Sequence, residues 1–433
     1  MNKADSETMA GLLKEVGHTP TLNLNQAELI IFNTCCVRKH AENRLYGNIE
    51  ALKSLKKRRP ALILAVGGCV AEKEEGRILE RFPHVDLVFG TNNFHVLPQL
   101  IENYLANPVP VCNTNGDALF PENLPNLRQD RYRAWVPIIR GCDNFCTYCI
   151  VPHVRGQEHS RKIEDILQEV RNLVNDGVRE ITLLGQNVNS YGKDLSEKNQ
   201  FAQLLKALDE IENLKRIRFI TSHPKDLSLA TIDAIANSSR ICEHFHLPLQ
   251  AGSDRILAAM NRRYNQNRYS KLVDVIRRAV PKASITTDLI VGFPGETEED
   301  FNETLKMVET IRFDQAFTFL YSPRQGTVAA RRRDDVPREV KQRRFNCLVA
   351  LQNRISLEKN KDLVSETAEV FVERKSRRDP KILAGRTRTN KIVNFPGSQG
   401  LMNTFVDVRI IEAGTFSLKG RLCGETAGKQ EDI

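Results

Sequence analysis

The sequence predicts an α/β protein in three parts: a small parallel α/β domain, a partial (β/α)6 barrel, and a small all-β barrel. Three observations carry this. Short apolar runs alternate with charged, helix-sized segments over roughly the first hundred residues. A longer series of the same kind begins near Arg133. After Asn360 the texture changes to alternating apolar and polar residues broken by glycine turns. At 433 residues the chain is too long for one core. Its 41% hydrophobic and 27% charged content is that of a folded chain rather than a disordered one. No run of about 18 apolar residues suggests a membrane span.

In chain order, the first strands are ELIIFNTCCV (28–37), ALILAVGGCV (61–70) and VDLVFGT (85–91). Ligands gather past the carboxyl ends of strands in such sheets, where Cys35 and Cys69 stand. Residues 1–105 read as this domain. Residues 106–132, rich in Pro, Asn and Asp, read as a linker. Six strands then alternate with amphipathic segments over 133–360: RAWVPIIRGC, REITLLGQNV, RIRFITS, HFHLPLQ, SITTDLIVGF and FDQAFTFLY. The last domain, 361–426, carries ETAEVFVERKSR, KILAGRTRTNKIVNF and TFVDVRIIEAGTFSLKGRL.

The opening MNKADSETMAGLL lacks a basic region followed by an apolar core, so no secretory signal is expected and the location is cytoplasmic. Ten cysteines then read as thiols or metal ligands. The net charge of +9 favours an anionic partner, with nucleic acid the first candidate. Arg374 to Lys391 holds eight Lys or Arg against one acid, Asp379, so RNA contact is expected from Arg374, Lys375, Arg377, Arg378, Arg386, Arg388 and Lys391.

The stretch IIRGCDNFCTYCIVP places Cys142, Cys146 and Cys149 on one loop after the first barrel strand. Thiolates bind soft metals, and three of them can hold three irons of a cubane while leaving the fourth iron open. Such a vacancy belongs to catalytic rather than structural sites. The competing account is a zinc site closed by a distant residue such as His153. Cys112, Cys242, Cys347 and Cys423 lack ligand spacing and read as structural. His223 and His246 end barrel strands, where they either line the mouth or serve packing.

CxxxCx(aromatic)C, with Tyr148 before the last cysteine, resembles the radical S-adenosylmethionine (SAM) superfamily. NTCCVR, GGCVAE, LLGQNVNSYG, HLPLQAGSD, TDLIVGFPGETEEDF, FTFLYSPRQGT and GRTRTNKIV together resemble the methylthiotransferase family, nearest its tRNA-modifying branch. That resemblance implies a radical SAM barrel, a TRAM-like C-terminal barrel, and two [4Fe–4S] clusters. One, on Cys142, Cys146 and Cys149, would bind SAM and release a 5′-deoxyadenosyl radical. The auxiliary cluster would use Cys35 and Cys69. Gly185, Gln186 and Asn187 would meet the SAM amino group, and Ile290 and Gly292 its adenine. Asp288 departs from the glycine that the superfamily has there. Arg155 and Arg161 would bind the SAM carboxylate or an RNA phosphate.

The implied reaction adds a methylthio group to carbon 2 of N6-isopentenyladenosine beside the anticodon, consuming two SAM molecules. Hydrogen abstraction there needs a radical because the aromatic C–H bond is unactivated. The implied partners are a tRNA anticodon stem-loop, an external electron donor and a sulfur donor, with a monomeric enzyme and no membrane. Related alternatives are threonylcarbamoyl-adenosine or a ribosomal protein as substrate; the remote one is a zinc RNA-binding protein. The family's third auxiliary cysteine has no counterpart in MNKADSE. The expectation is an upstream strand and cysteine left out of this sequence. The competing account gives the role to Cys36, which on an extended segment would point away from Cys35.

Overall fold

A computed structural model describes residues 1–36, 39–116, 124–195, 200–376, 379 and 381–424. The chain divides into two compact units: Met1–Gln200 with Ser322–Arg331, and Phe201–Tyr321 with Arg332–Ile433.

The first unit opens with a four-stranded sheet in the order β1 (Leu29–Asn33), β2 (Ile63–Gly67), β3 (Leu87–Phe89) and β4 (Val111–Asn113). All its pairings are parallel. Strand alternation gives β2 two apolar faces. Ile63 and Ala65 pack with Met9, Leu12, Leu97 and Ile101 from the helices Asn2–Glu15 and Leu97–Ala106. Val66 packs on the other side with Leu45, Ile49, Ile78 and Phe82, and this cluster also holds Cys36, Cys69, Ile150 and Val154. The stretch expected to be a linker supplies β4. Pro108 and Pro110 just before it suit a sheet edge, where missing N–H donors cost little.

All six strands expected of the central series are present. In the first unit β5 (Arg133–Pro137) pairs in parallel with β8 (Glu180–Leu184). Between them, β6 (Ile139–Arg140) and β7 (His159–Ser160) form a short antiparallel pair around the cysteine loop. The second unit holds β9 (Arg216–Ile220) and the parallel sheet β10 (His244–His246), β11 (Ser284–Val291) and β12 (Gln315–Leu320). Helices follow these strands, as parallel crossovers require. One, Glu298–Ile311, starts with a capping box in which Thr297 and Asp300 satisfy each other's backbone N–H.

The second unit ends in a closed barrel, β13 (Thr367–Lys375), β14 (Ile382–Thr387), β15 (Ile392–Pro396), β17 (Leu418–Leu422) and β16 (Phe405–Ala413), in that order. Val370, Val372, Leu383, Val393, Phe395, Val408 and Ile410 fill it. Irregularities at Val372/Arg374 and Ile410/Glu412 bend the long strands enough to close the sheet. The fold class is therefore the expected one.

Candidate active site

The cysteine loop is anchored at both ends. Cys142 N–H donates to the Gly156 carbonyl at 3.1 Å, and Cys149 N–H to the Cys146 carbonyl at 2.9 Å. Gly141 stands at φ +71°, and a Cβ there would lie 1.8 Å from the Gln157 carbonyl oxygen, so only glycine admits this approach. Phe145 holds φ +46° and is 51% exposed, which marks the loop tip as locally strained. Cys146 is buried, while Cys142, Tyr148 and Cys149 are half-buried. Burial pushes the Cys142 thiol up to about 11, partly offset by the backbone and side-chain donors of Asn144. Inside the same unit, the Thr147 carbonyl accepts from Ala329 N–H at 2.8 Å.

Strand β8 runs into Gly185-Gln186-Asn187. A Cβ on Gly185 would meet Ile139 at 2.4 Å, so the glycine also lets two strands approach. Asn187 is buried. The Oε1 of Gln186 and both amide atoms of Asn189 are buried without a hydrogen-bond partner. Orphaned buried amides are rare and call for a ligand's donors and acceptors. Asn189 was missed by the sequence reading; an amide just past a strand end was the available signal.

The second cysteine constellation lies at the end of β1 and β2. Cys69 follows Gly68, whose φ of +88° turns the chain out of the strand. Both Cys35 and Cys36 hydrogen-bond to the Cys69 sulfur, lowering its pKa well below the ordinary thiol range against the effect of burial. Cys36 is pushed up by that same bond and by burial. The expected divergence of Cys35 and Cys36 does not occur, because β1 stops at Asn33 and the chain bends at Cys36.

Arg155 completes this group. Its Nε donates to Cys69 Sγ at 3.3 Å, and its Nη2 donates to Asp5 Oδ2 at 2.9 Å and Asn2 Oδ1 at 3.0 Å. It is buried and committed to these partners rather than open to a carboxylate or phosphate ligand. Arg161 is likewise buried, donating to the Pro137 carbonyl at 3.1 Å and to Glu169.

In the second unit, Ile290 is half-buried near the end of β11. Gly292 has φ +75°, and a Cβ on it would lie 2.4 Å from the Lys341 side chain. Its N–H donates to Glu296 Oε2 at 2.8 Å. Of the basic residues expected to meet RNA, Arg374 and Lys375 are exposed. Arg386 faces Glu373 at 3.5 Å. Arg388 grips Glu243 with both Nε and Nη2 and donates to the Ser239 and Ile241 carbonyls. Lys391 donates to Asp314 at 2.9 Å and Asn360 at 2.8 Å. Arg216, fully buried at the start of β9, donates to Glu369 Oε1 at 2.6 Å. Arg388 and Lys391 therefore hold the small barrel to its neighbours inside the unit. Arg377 and Arg378 lie outside the described residues.

Among the described residues no three His, Cys, Asp or Glu side chains converge tightly enough for a single metal ion. Thiolates sharing one ion stand about 4 Å apart, given metal–sulfur bonds of about 2.3 Å. A cubane instead gives each thiolate its own iron and spreads them. Three free thiols on one loop suit such a cluster by their donor chemistry, and the orphaned amides past β8 suit the polar groups of an amino-acid cosubstrate.

Comparison with known proteins bears on this arrangement. Three family profiles match: the radical SAM superfamily over residues 136–308, the uncharacterized protein family UPF0004 over 1–90, and the TRAM domain over 361–423. The chain is 52% identical to a tRNA-2-methylthio-N(6)-dimethylallyladenosine synthase of Carboxydothermus hydrogenoformans, across 98% of this chain and 97% of the relative. It is 49% identical to the synthase of the same name from Acetivibrio thermocellus, across 98% and 88%. The chain belongs to the methylthiotransferase family of radical SAM enzymes.

As a methylthiotransferase it is an iron–sulfur and SAM-dependent transferase that acts on tRNA and carries a TRAM barrel. Its fold likeness reaches beyond the family. The radical SAM methyltransferase TsrM from Kitasatospora setae superposes with a TM-score of 0.52 at 12% identity, covering 74% of this chain and 68% of the other. No helix among the described residues is long and apolar enough to cross a membrane.

Proposed function

We propose that this chain adds a methylthio group to carbon 2 of N6-isopentenyladenosine beside the anticodon of tRNA. The near-complete overlap with curated synthases of that name carries the reading. The anchored Cys142–Cys149 loop supports its radical chemistry, while the substrate rests on the relatives.

Cys142, Cys146 and Cys149 would hold the SAM-binding [4Fe–4S] cluster, and Cys35 and Cys69 would hold the auxiliary one, with Cys36 within reach of the same sulfur. When bound, the first cluster supplies the single electron that splits the sulfonium cosubstrate. The Gly185–Asn187 segment orients the cosubstrate's amino group, with Gln186 Oε1 as its acceptor. Ile290 and Gly292 are assigned to its adenine by resemblance. Arg155 positions Cys69 rather than the cosubstrate. The corresponding three domains are residues 1–105 extended by β4 (Val111–Asn113) from the 106–132 stretch, 133–360 and 361–426. An external electron donor, a sulfur donor, a cytoplasmic setting and a monomeric state belong to the same proposal.

Purified without oxygen, the protein should be brown and contain iron and sulfide. With a reductant it should convert SAM to 5′-deoxyadenosine and form 2-methylthio-N6-isopentenyladenosine in tRNA. Nucleoside mass analysis of tRNA from cells lacking the gene tests this directly. Unchanged methylthio-adenosine there excludes the substrate.

A further inference from the structure

Strands β10, β11 and β12 carry a line of polar groups that none of the roles above uses. His244 Nε2 and His246 Nδ1 each lie 3.0 Å from Thr286 Oγ1. On the far side of the His246 ring, Nε2 faces Asp288 Oδ2 at 3.5 Å. Asp288 stands in register with Phe317 on the next strand, and Phe317 meets the His246 ring edge-on with centroids 6.0 Å apart. These side chains share one face of the sheet. The opposite face carries buried Phe245, Ile285 and Leu289.

The hydrogen-bond logic has one outcome at its open end. A ring nitrogen facing a carboxylate carries a proton, because a lone pair there would repel it. In neutral His246 the proton is therefore on Nε2, and Nδ1 accepts from the Thr286 hydroxyl. Thr286 oxygen in turn accepts from His244 Nε2–H. In protonated His246 the inner bonds reverse, yet Nε2–H still points at Asp288. Either way Asp288 is an acceptor facing the His246 N–H at 3.5 Å, with oxygen lone pairs to spare.

Beside that acceptor lies an apolar surface that the fold leaves uncovered. Phe317 is 45% exposed although it sits mid-strand, while the Asp288 side chain is 28% exposed and His246 12%. Ile220, at the end of β9, is 39% exposed. A half-exposed phenyl ring next to an oriented carboxylate is complementary to an N–H that bears a branched hydrocarbon.

We propose that Asp288 and Phe317 recognise the prenylated amino group of the substrate adenine. Asp288 accepts from N6–H, Phe317 covers the alkenyl chain, and His244, Thr286 and His246 hold Asp288 in place. This rests on the substrate assigned above and names the residues that select it.

The test uses the full reconstituted chain and two anticodon hairpins, identical except for an isopentenyl or a plain adenosine. Wild type should bind the prenylated hairpin more tightly. Phe317→Ala should cut that preference about tenfold, on the scale at which pockets discriminate apolar groups. In Phe317→Ala, affinity for the plain hairpin should stay within about twofold, since that hairpin has no alkenyl chain for the ring to cover. Asp288→Asn should instead weaken both hairpins, because plain adenosine offers the same N6–H donor: the single amide oxygen turns to His246 Nε2–H and leaves the NH2 against N6–H, donor against donor. Thr286→Val should weaken both hairpins in the same way and Thr286→Ser restore them.

In Phe317→Ala, equal weakening of both hairpins or an unchanged preference overturns the proposal, as does unchanged affinity for both in Asp288→Asn, while the assigned reaction stays intact. Loss of substrate-free SAM cleavage in Asp288→Asn also overturns it and gives the carboxylate to the cosubstrate. A wild type that binds both hairpins alike overturns the proposal together with the substrate on which it rests.

Discussion

The guanidinium of Arg155 bonds at once to Cys69 Sγ, at 3.3 Å, and to the buried carboxylate of Asp5, at 2.9 Å. It is the bond between the helix that follows the cysteine loop and the cysteine at the end of β2. Removing one partner of a buried ion pair strands the other charge, at about 3–5 kcal/mol. Arg155→Met should therefore lower the urea-unfolding free energy by about that amount. The double variant Asp5→Asn/Arg155→Met should recover most of it. Failure of the second change to help would mean that Asp5 is not the stranded group.

Gly141→Ala is expected to spoil the cysteine loop without unfolding the protein. Its added carbon falls against the backbone carbonyl of Gln157, and the φ of +71° adds strain. Iron bound after anaerobic reconstitution should drop by about four per chain, one cubane, and deoxyadenosine formation should vanish with it. Gly177→Ala is the control. It shares a positive φ, +101°, but meets no atom within 4 Å, so it should cost about 1 kcal/mol of stability and no iron.

The exposed and the paired cations of the small barrel should separate in salt. Replacing Arg374 and Lys375 by alanine should flatten the dependence of log K on log salt for tRNA by about 1.5, at roughly 0.7–0.9 per phosphate contact. Lys391→Ala should leave that slope alone and instead lower stability by about 1–3 kcal/mol, because Asp314 loses a charged partner. Fluorescence anisotropy across a potassium chloride series reads the first effect, and urea unfolding the second.

Acid should act through His244. Desolvation and the neighbouring His246 depress its pKa to about 3. The unfolded chain thus binds a proton below about pH 6.5 that the folded chain refuses until about pH 3. Stability falls as pH drops through that window, by at most about 1.4 kcal/mol per pH unit. Between pH 7 and pH 5 wild type should lose about 1–2 kcal/mol more than His244→Gln. Parallel loss in the two proteins would place the acid sensitivity elsewhere.

The strands were legible because each is a short apolar run closed by a turn residue, and apolar runs answer to local physics. The Cys142, Cys146 and Cys149 loop was legible because its ligands are neighbours in sequence. The Cys69 group was only half legible: a bend at Cys36 cancelled the alternation that an extended segment would impose. Charge was the poorest guide. Arg388 and Lys391 look like their neighbours Arg374 and Lys375 in the sequence, yet they are held by Glu243 and Asp314, more than seventy positions away in each case. Pairing at such separation depends on tertiary placement, which a run of basic letters does not record.

Glu243 comes just ahead of β10, Asp314 just ahead of β12, and Arg216 is the first residue of β9. The small barrel is thus moored where the central strands begin, whereas chemistry on such scaffolds takes place where strands finish. These strands run three to six residues, roughly 10–20 Å at about 3.3 Å per residue. The strands then act as a ruler. Inside the second unit they fix the distance from the small barrel's moorings to the strands' far ends, so lengthening one of them by two residues would lift the barrel away from its neighbours rather than merely extend a loop.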